Sequence, residues 1–313
     1  MPELRKRIMR LLGDFPRRAA LRLRVEERQE SDGFVRERIT YFVEPGERVA
    51  AYLLLPQGLD KQAPGIVAAH QHAGQFYLGK SEPAGLSASA MYHYGLDLCK
   101  RGYVVICPDH LAFEERRPPE YQRAENGSLE GPNYERFVAM AYILRGSSLQ
   151  AKYLHDLARA IDVLQSRPEV DKERIGAIGH SLGGQETLWL AWFDDRVKAA
   201  VSSCGFGMIS TVLRERINHN MASYVPGLLT VCDMDEIAAS LPPKALLMIA
   251  GDQDRIFPID GVRHIGERGR AAYSAAGVAE RFRCEIFAGG HSFSDDMKAI
   301  AYGWLDRWLK DAA

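Results

Sequence analysis

The 313-residue sequence is poor in cysteine, in net charge and in long apolar runs. Its formal net charge of -1 at pH 7 gives no electrostatic basis for binding nucleic acid or an anionic membrane. No apolar stretch approaches the roughly 18 residues that a membrane-spanning helix needs, so we expect no integral membrane segment. The 5 cysteines are an odd number and lie mostly in apolar stretches, which favours reduced core thiols of a cytoplasmic protein over a disulfide framework.

The N-terminal 18 residues are rich in arginine and carry apolar side chains at helical spacing. These apolar residues are Leu4, Ile8, Leu11 and Leu12. The pattern superficially suits a transit peptide or a membrane-surface helix. Glu3, Asp14 and the absence of serine argue against import, so we expect a helix that packs on the body of the protein.

The central motif is Gly179-His180-Ser181-Leu182-Gly183, which follows an apolar strand directly and precedes a helical stretch from Gly184 to Phe193. This succession of strand, Gly-x-Ser-x-Gly turn and helix is typical of a nucleophile elbow, although the motif alone also suits an ordinary glycine turn. Glycines on both sides of the serine let the two backbone arms approach closely. The motif predicts Ser181 as a nucleophile and the Leu182 N–H, at the helix N-terminus, as an oxyanion donor.

The succession of strands and helices predicts an α/β fold. Strand-like runs separated by Asp-Gly and Pro-Gly turns come first and predict an antiparallel meander. These runs are Leu21 to Glu27, Val35 to Val43 and Val49 to Leu55. Short apolar strands then alternate with amphipathic helices, which indicates a mostly parallel sheet with helices on both faces. The parallel strands are predicted at Gly65 to Ala69, Tyr103 to Cys107, Arg174 to Ile178, Val197 to Ser202, Ala245 to Ala250 and Arg281 to Phe287.

We expect a single domain over residues 1–313, in which residues 1–48 form the N-terminal helix and strands. Two stretches, 111–148 and 204–240, interrupt the alternation and leave the sheet at C-terminal strand ends, where open α/β sheets bind their ligands. Long insertions at such positions usually form a lid or a pocket wall, so we expect both to lie over the nucleophile. The N-terminal strands and helix also offer a surface for a homo-oligomer.

A serine nucleophile needs a base that is itself oriented by a carboxylate, and both must come from the same edge of the sheet. His291 follows the last predicted strand in a glycine-rich loop, and the preceding strand ends in Gly251-Asp252-Gln253-Asp254. We favour Asp254 over Asp252 because the Gly-x-x-Asp spacing lets the turn finish before the side chain points inward. The order Ser181, Asp254, His291 differs from that of chymotrypsin or subtilisin and is that of α/β-hydrolases.

A second oxyanion donor is expected from the loop after the strand at Gly65 to Ala69, which reads His70-Gln71-His72-Ala73-Gly74. We favour the backbone N–H of His72, with Gln71 as the alternative. His-x-His also suits a metal pair, because two such imidazoles on an extended segment share a face. Since the sequence around them holds no cysteine, aspartate or glutamate to complete a site, we expect no metal.

The chain resembles the α/β-hydrolase superfamily from about Val49 to Leu309 and, within it, the branch of dienelactone hydrolases and acetyl-xylan-esterase-like enzymes. The motifs that carry the resemblance to this branch are Tyr52-Leu53-Leu54-Leu55-Pro56, Gly102-Tyr103-Val104-Val105-Ile106-Cys107-Pro108-Asp109, Phe113-Glu114-Glu115-Arg116 and Val225-Pro226-Gly227-Leu228. The resemblance implies a triad of Ser181, Asp254 and His291 that hydrolyses small carboxylic esters without a cofactor. The chain departs from the family in one place, because His70-Gln71 stands where His-Gly is common.

The sequence therefore favours a serine carboxylesterase that acts on a small-molecule ester through an acyl-enzyme. One alternative is a peptidase of the prolyl-oligopeptidase type, although the roughly 60 residues ahead of Gly65 are few for the gating domain of such enzymes. The other is a catalytically inactive hydrolase fold that serves as a binding protein. All three triad positions are filled, which argues against that last alternative.

Overall fold

In a computed structural model, which describes residues 2–118 and 129–310, the chain forms a nine-stranded sheet. The strands are β1 (Arg24–Ser31), β2 (Phe34–Glu44), β3 (Glu47–Pro56), β4 (Ala63–Ala69), β5 (Val104–Pro108), β6 (Val170–His180), β7 (Val197–Ser203), β8 (Ala245–Gly251) and β9 (Phe282–Phe287). The α-helices of the described residues are α1 (Pro2–Leu12), α2 (Tyr94–Lys100), α3 (Pro132–Leu144), α4 (Leu149–Ser166), α5 (Leu182–Phe193), α6 (Ile209–Arg214), α7 (Met234–Ala239), α8 (Ile259–Ala275) and α9 (Asp295–Leu309). Pro119 and Asn126-Gly127, which the sequence suggests as turn residues, lie outside the described residues.

The strand order is β1-β2-β3-β5-β4-β6-β7-β8-β9. The first three strands pair antiparallel, β3 pairs antiparallel with β5, and every pairing from β5 to β9 is parallel. The predicted fold class, a mostly parallel sheet with antiparallel N-terminal strands, is thereby confirmed. The strand predicted at Leu21 to Glu27 begins and ends too early, because the observed β1 runs from Arg24 to Ser31. This strand is almost wholly exposed, so its bounds are set by pairing with β2 rather than by burial.

Helices cover both faces of the sheet, as the alternation of strands and helices predicts. Helices α2 and α9 pack on one face around a cluster that includes Leu98, Met297 and Leu305. Helices α1, α4, α5, α7 and α8 contribute to a larger apolar cluster on the other face. Because both faces are buried there, the strands β4, β5 and β8 are buried and apolar along their length.

Helix α1 packs on the body of the protein, as expected. Its Ile8 and Leu12 are fully buried, and the Arg5 guanidinium donates hydrogen bonds of 2.6 and 2.7 Å to the carbonyls of Trp192 and Phe193. These carbonyls end helix α5 and have no partner within the helix, so a cation there is favourable.

A homo-oligomer and a cytoplasmic location stay predictions.

The five cysteines are all free thiols, and four of them are buried. The expected core position of the cysteines is thus confirmed for four of them, and their reduced state stays a prediction. None of the helices in residues 2–118 and 129–310 combines the length and the apolar character that crossing a bilayer requires.

Candidate active site

Ser181 lies on a sharp turn between β6 and α5. Its backbone has φ 55° and ψ -121°, a region that non-glycine residues rarely adopt and that stores strain. A Cβ atom on Gly179 would overlap the carbonyl of Gly183, and one on Gly183 would overlap the carbonyl oxygen of Ala69. The turn therefore requires both glycines of the motif, and it raises the serine at the C-terminal edge of the sheet.

Asp254 and His291 come from the loops after β8 and β9, and their side chains are in contact. His291 Nδ1 lies 2.7 Å from Asp254 Oδ2, while Asp254 Oδ1 accepts a 3.0 Å hydrogen bond from the Ile256 N–H. Asp252 faces the other way and accepts a 2.9 Å bond from the Gly289 N–H. Of the two carboxylates that the sequence offers, Asp254 is thus the one beside the imidazole.

The contact with Asp254 fixes the orientation of the His291 ring. An ionised carboxylate only accepts, so Nδ1 carries the proton and Nε2 is left as an acceptor, the tautomer that a general base needs. Ser181 and His291 line the same cavity, but within the described residues the Ser181 hydroxyl has no hydrogen-bond partner in the protein. The hydrogen bond between a catalytic serine and its histidine is often long in free enzymes and tightens when substrate binds.

The two N–H groups expected to bind an oxyanion are not used in hydrogen bonds to other described protein groups. Within the described residues, neither the Leu182 N–H nor the His72 N–H donates to another protein group. Gln71, the alternative, faces Glu82: its side-chain amide donates a 2.8 Å bond to that carboxylate, and its backbone also hydrogen-bonds to it. Burial raises the pKa of Glu82 to about 7, and hydrogen bonds from the side chain and backbone of Gln71 oppose that rise.

His70 and His72 do not share a site. The buried His70 ring contacts the Gln71 carbonyl through Nδ1 and accepts from the His110 N–H through Nε2, at 2.8 and 3.1 Å. Burial lowers the pKa of His70 to about 4, so the ring is neutral near pH 7. His72 instead lies 3.2 Å from Glu135, an acid 63 positions away that the sequence gave no reason to place there.

A cavity of about 490 Å³ opens in front of Ser181. Its described lining residues are Gln71, His72, Ala73, Gly74, Gln75, Tyr92, Pro132, Glu135, Ser181, Asn218, His219, Asn220, Ile256 and His291. Both insertions contribute to its wall, the first through Pro132 and Glu135 and the second through residues 218–220. We call the described parts of these insertions, 111–118, 129–148 and 204–240, the cap.

A first buried polar cluster lies behind the loop that carries His72, and sequence reasoning missed it. The Lys80 ammonium is fully buried between Asp109, Glu114 and Glu115, at 2.9, 2.6 and 2.8 Å. Burial raises the pKa of Asp109 to about 7 against the attraction of Lys80, whereas hydrogen bonds from Arg38 and Lys80 hold that of Glu115 at about 2. We call these four residues the Lys80 cluster.

A second buried polar cluster lies on α4, on α5 and in the cap. Glu186 accepts bonds from Gln150 and Gln185, at 2.6 and 3.2 Å. Gln185 in turn accepts from Asn220 and Ser223, at 3.1 and 2.7 Å. Burial raises the pKa of Glu186 to about 8. We call these five residues the Glu186 cluster, which no pattern in the sequence predicts.

His180, which precedes the nucleophile, is a further residue that sequence reasoning left without a role. It is fully buried, its Nδ1 lies 3.0 Å from the Ser203 hydroxyl, and its ring lies 4.7 Å from that of His291. Burial and the neighbouring His291 lower the pKa of His180, so the ring that packs beside His291 is neutral.

Two groups of described residues have donor atoms close enough to share a metal ion. Asp109, Glu114 and Glu115 form one, but the Lys80 ammonium already lies among them. Cys204, Asp254 and His291 form the other, with donor atoms within 4.8 Å of one another. Burial raises the pKa of the Cys204 thiol to about 12, so it is protonated near neutral pH, which disfavours metal binding.

The sheet order, the strained serine turn and the Asp254–His291 pair together define an α/β-hydrolase. The model of the dienelactone hydrolase family matches residues 49–304. The chain belongs to this family, and it is therefore an enzyme, a hydrolase of the class that cleaves carboxylic esters.

Relatives and solved structures agree with this assignment. YtaP of Bacillus subtilis (strain 168), provisionally named a hydrolase, is 31% identical over 318 aligned positions, which cover 98% of this chain and 99% of that protein. A glucuronoyl esterase from Solibacter usitatus has a TM-score of 0.71 at 17% identity, covering 97% of this chain and 91% of that chain. An acetyl xylan esterase from Paenibacillus sp. R4 has a TM-score of 0.63 at 17% identity, covering 93% and 90%. At these identities the two structures show the shared fold.

Proposed function

We propose that the protein is a serine carboxylesterase that hydrolyses small esters through an acyl-enzyme intermediate. Ser181 attacks the ester carbonyl while His291 Nε2 takes the hydroxyl proton, and Asp254 holds the imidazole and stabilises its charged form. The N–H groups of Leu182 and His72 bind the oxyanion. His291 then protonates the departing alcohol, and water attacks the acyl-enzyme with His291 again as base. The 2.7 Å Asp254–His291 contact beside the strained serine carries this proposal.

The cavity wall supports an ester with hydrogen-bonding groups rather than a long acyl chain. Of the lining residues within the described chain, ten are polar, among them Gln75, Asn218 and Asn220. An alkyl chain that covered such polar groups would leave them without hydrogen-bond partners, which costs free energy, whereas the hydroxyl groups of a substrate would pair with them. The names of the similar solved structures, an acetyl xylan esterase and a glucuronoyl esterase, point to the same class, an ester borne by a sugar.

The central test is Ser181→Ala, with Ser210→Ala at an exposed position as the matched control. We expect the first variant to lose p-nitrophenyl acetate turnover by about 10⁴-fold or more and to escape labelling by a fluorophosphonate, and the control to behave like the wild type. Asp254→Asn should cost about 10²- to 10⁴-fold, and Asp252→Asn less than about threefold. Turnover that survives Ser181→Ala would refute the proposal.

A substrate panel tests the second half of the proposal. We expect acetate esters, including acetylated xylan, to be cleaved with a higher kcat/KM than octanoate or decanoate esters. A rise of kcat/KM with acyl length would contradict the polar-pocket argument and leave the triad standing. Faster cleavage of an aminoacyl-p-nitroanilide than of any simple ester would favour a peptidase instead.

A further inference from the structure

One buried carboxylate connects the loop after β4, which carries His72, to both insertions of the cap. Glu135, on α3, is 3% exposed and forms part of the cavity wall. Its Oε2 lies 3.2 Å from His72 Nε2, and its Oε1 accepts a 3.1 Å hydrogen bond from the Met221 N–H. The contact therefore ties the loop after β4 to the first insertion, and the first insertion to the second.

The His72 ring is held at both of its nitrogens and against two aromatic rings. Its Nδ1 accepts a 2.9 Å hydrogen bond from the Gly74 N–H, so the ring proton is on Nε2 and is donated to Glu135. The ring packs edge-on against Phe76 and Phe113, with centroids 4.9 and 5.1 Å away. Both the orientation and the tautomer of the ring are thus determined by contacts.

The backbone beside His72 needs such support. Ala73 has φ 46°, in the left-handed region that a non-glycine residue adopts only at a cost in free energy, and Gly74 follows with φ 68°. A conformation of this kind persists where surrounding contacts over-determine it. The His72 ring, fixed at its far end by Glu135, is the anchor adjacent to this strained turn.

We infer that Glu135 is a positioning residue for the oxyanion hole: by holding the His72 ring it sets the direction of the His72 N–H. This inference rests on the proposed function, because it assigns the His72 N–H to the oxyanion. A donor must lie about 2.7–3.1 Å from the developing oxyanion to be effective, so a small rotation of the loop lowers the rate. The effect is confined to the transition state, and it lowers kcat rather than substrate affinity.

The chemistry of the site requires a carboxylate at this position. Two N–H groups, those of His72 and Met221, point at Glu135, and a carboxylate accepts from both without donating. In Glu135→Gln one of the two acceptors becomes an NH₂ group that faces a donor. If it faces His72, the ring must move its proton to Nδ1, where the Gly74 N–H already donates.

The test compares Glu135→Gln, His72→Ala and the double variant with the wild type, with Glu267→Gln as a control at an exposed glutamate. His72→Ala removes the ring but keeps the backbone donor. For each single variant we expect kcat to fall about 10- to 100-fold, less than loss of a whole donor, with KM within about threefold. The Ki of a trifluoromethyl ketone should rise by the factor by which kcat/KM falls. The double variant should match His72→Ala, because both changes release the same ring.

Several results would overturn the inference. Wild-type kcat in either single variant would do so, as would a rise in KM alone or additive losses in the double variant. Urea unfolding shows whether Glu135→Gln is folded, and if it is not, His72→Ala decides alone. These failures differ from a failure of the proposed function, in which Ser181→Ala itself would keep activity.

Discussion

The Lys80 cluster and the Glu186 cluster both bury carboxylates close to the nucleophile, but they stabilise them in different ways. In the Lys80 cluster one ammonium lies within 3 Å of three carboxylates. In the Glu186 cluster one carboxyl group accepts from two glutamine amides, and Asn220 and Ser223 in turn donate to one of those glutamines, Gln185. The carboxylates of the first cluster are paired with an ammonium, whereas the carboxyl group of the second is solvated by amides alone.

The difference has a clear effect on the pKa values. The Lys80 ammonium, together with Arg38 beside Glu115, keeps the pKa of Glu114 and Glu115 low despite burial, and it opposes the rise that burial causes at Asp109, whose pKa is still raised to about 7. At Glu186 only the amides of Gln150 and Gln185 oppose the effect of burial, and the pKa is raised to about 8. Each cluster also fastens a different part of the site. Glu114 accepts from the N–H groups of Gly79 and Ser81 and so fixes the loop after β4, and Gln185 joins α5 to the cap. The first should therefore respond to removal of a charge, and the second to pH.

Removal of the ammonium should have the largest effect. Lys80→Met leaves the fully buried Asp109 and the partly buried Glu114 without their ammonium, while Glu115 keeps Arg38. Breaking a buried ion pair in this way costs about 3–5 kcal/mol of the free energy of unfolding. The carboxylates of the variant will have raised pKa values, so its folded state takes up protons and its deficit grows as pH rises from about 5 to 8. Urea unfolding across that range measures this, with the exposed Lys61→Met as control. A deficit below 1 kcal/mol would show that the charges are not paired energetically.

The sequence predicts the fold and the residues at the strand ends well, because both depend on local patterns. Apolar runs mark the strands, and the two glycines next to Ser181 mark the turn that needs them. Asp254 and His291 could be chosen because parallel strands bring their C-terminal ends to one edge. Here a short stretch of sequence and a rule of topology are enough.

The buried polar contacts could not be predicted in this way. Glu135 looks like an ordinary helix residue, and its partners His72 and Met221 lie 63 and 86 positions away. Glu114 belongs to a recognisable motif, Phe113-Glu114-Glu115-Arg116, but nothing in the sequence places Lys80 beside it. These contacts depend on how the cap packs on the sheet, and the periodicity of apolar residues in the sequence does not predict that packing.

The Glu186 cluster should show an effect on stability that depends on pH. Because the pKa of Glu186 is raised to about 8, the folded protein keeps a proton that the unfolded chain loses near its ordinary pKa of about 4.3. Folding thus takes up a proton in this window, and wild-type stability falls as pH rises, by at most about 1.4 kcal/mol per pH unit. Glu186→Gln has no proton to lose. We expect it to gain stability relative to the wild type from about pH 5 to 8 and no further above that. Parallel unfolding curves would contradict the raised pKa.

The smallest effect is expected for a neutral member of the same cluster. Ser223→Ala removes the hydroxyl that donates to Gln185 Oε1, but the same oxygen still accepts from Asn220, so no buried acceptor is left unpaired. The loss should be about 1 kcal/mol in the free energy of unfolding, with kcat/KM within about threefold. Since no charge is involved, the loss should be equal at pH 6 and pH 9, unlike the pH-dependent gain expected for Glu186→Gln. A loss that changed with pH would mean that Ser223 stabilises the ionised form of Glu186 through Gln185, and the contrast between a charge-paired and an amide-solvated cluster would then weaken.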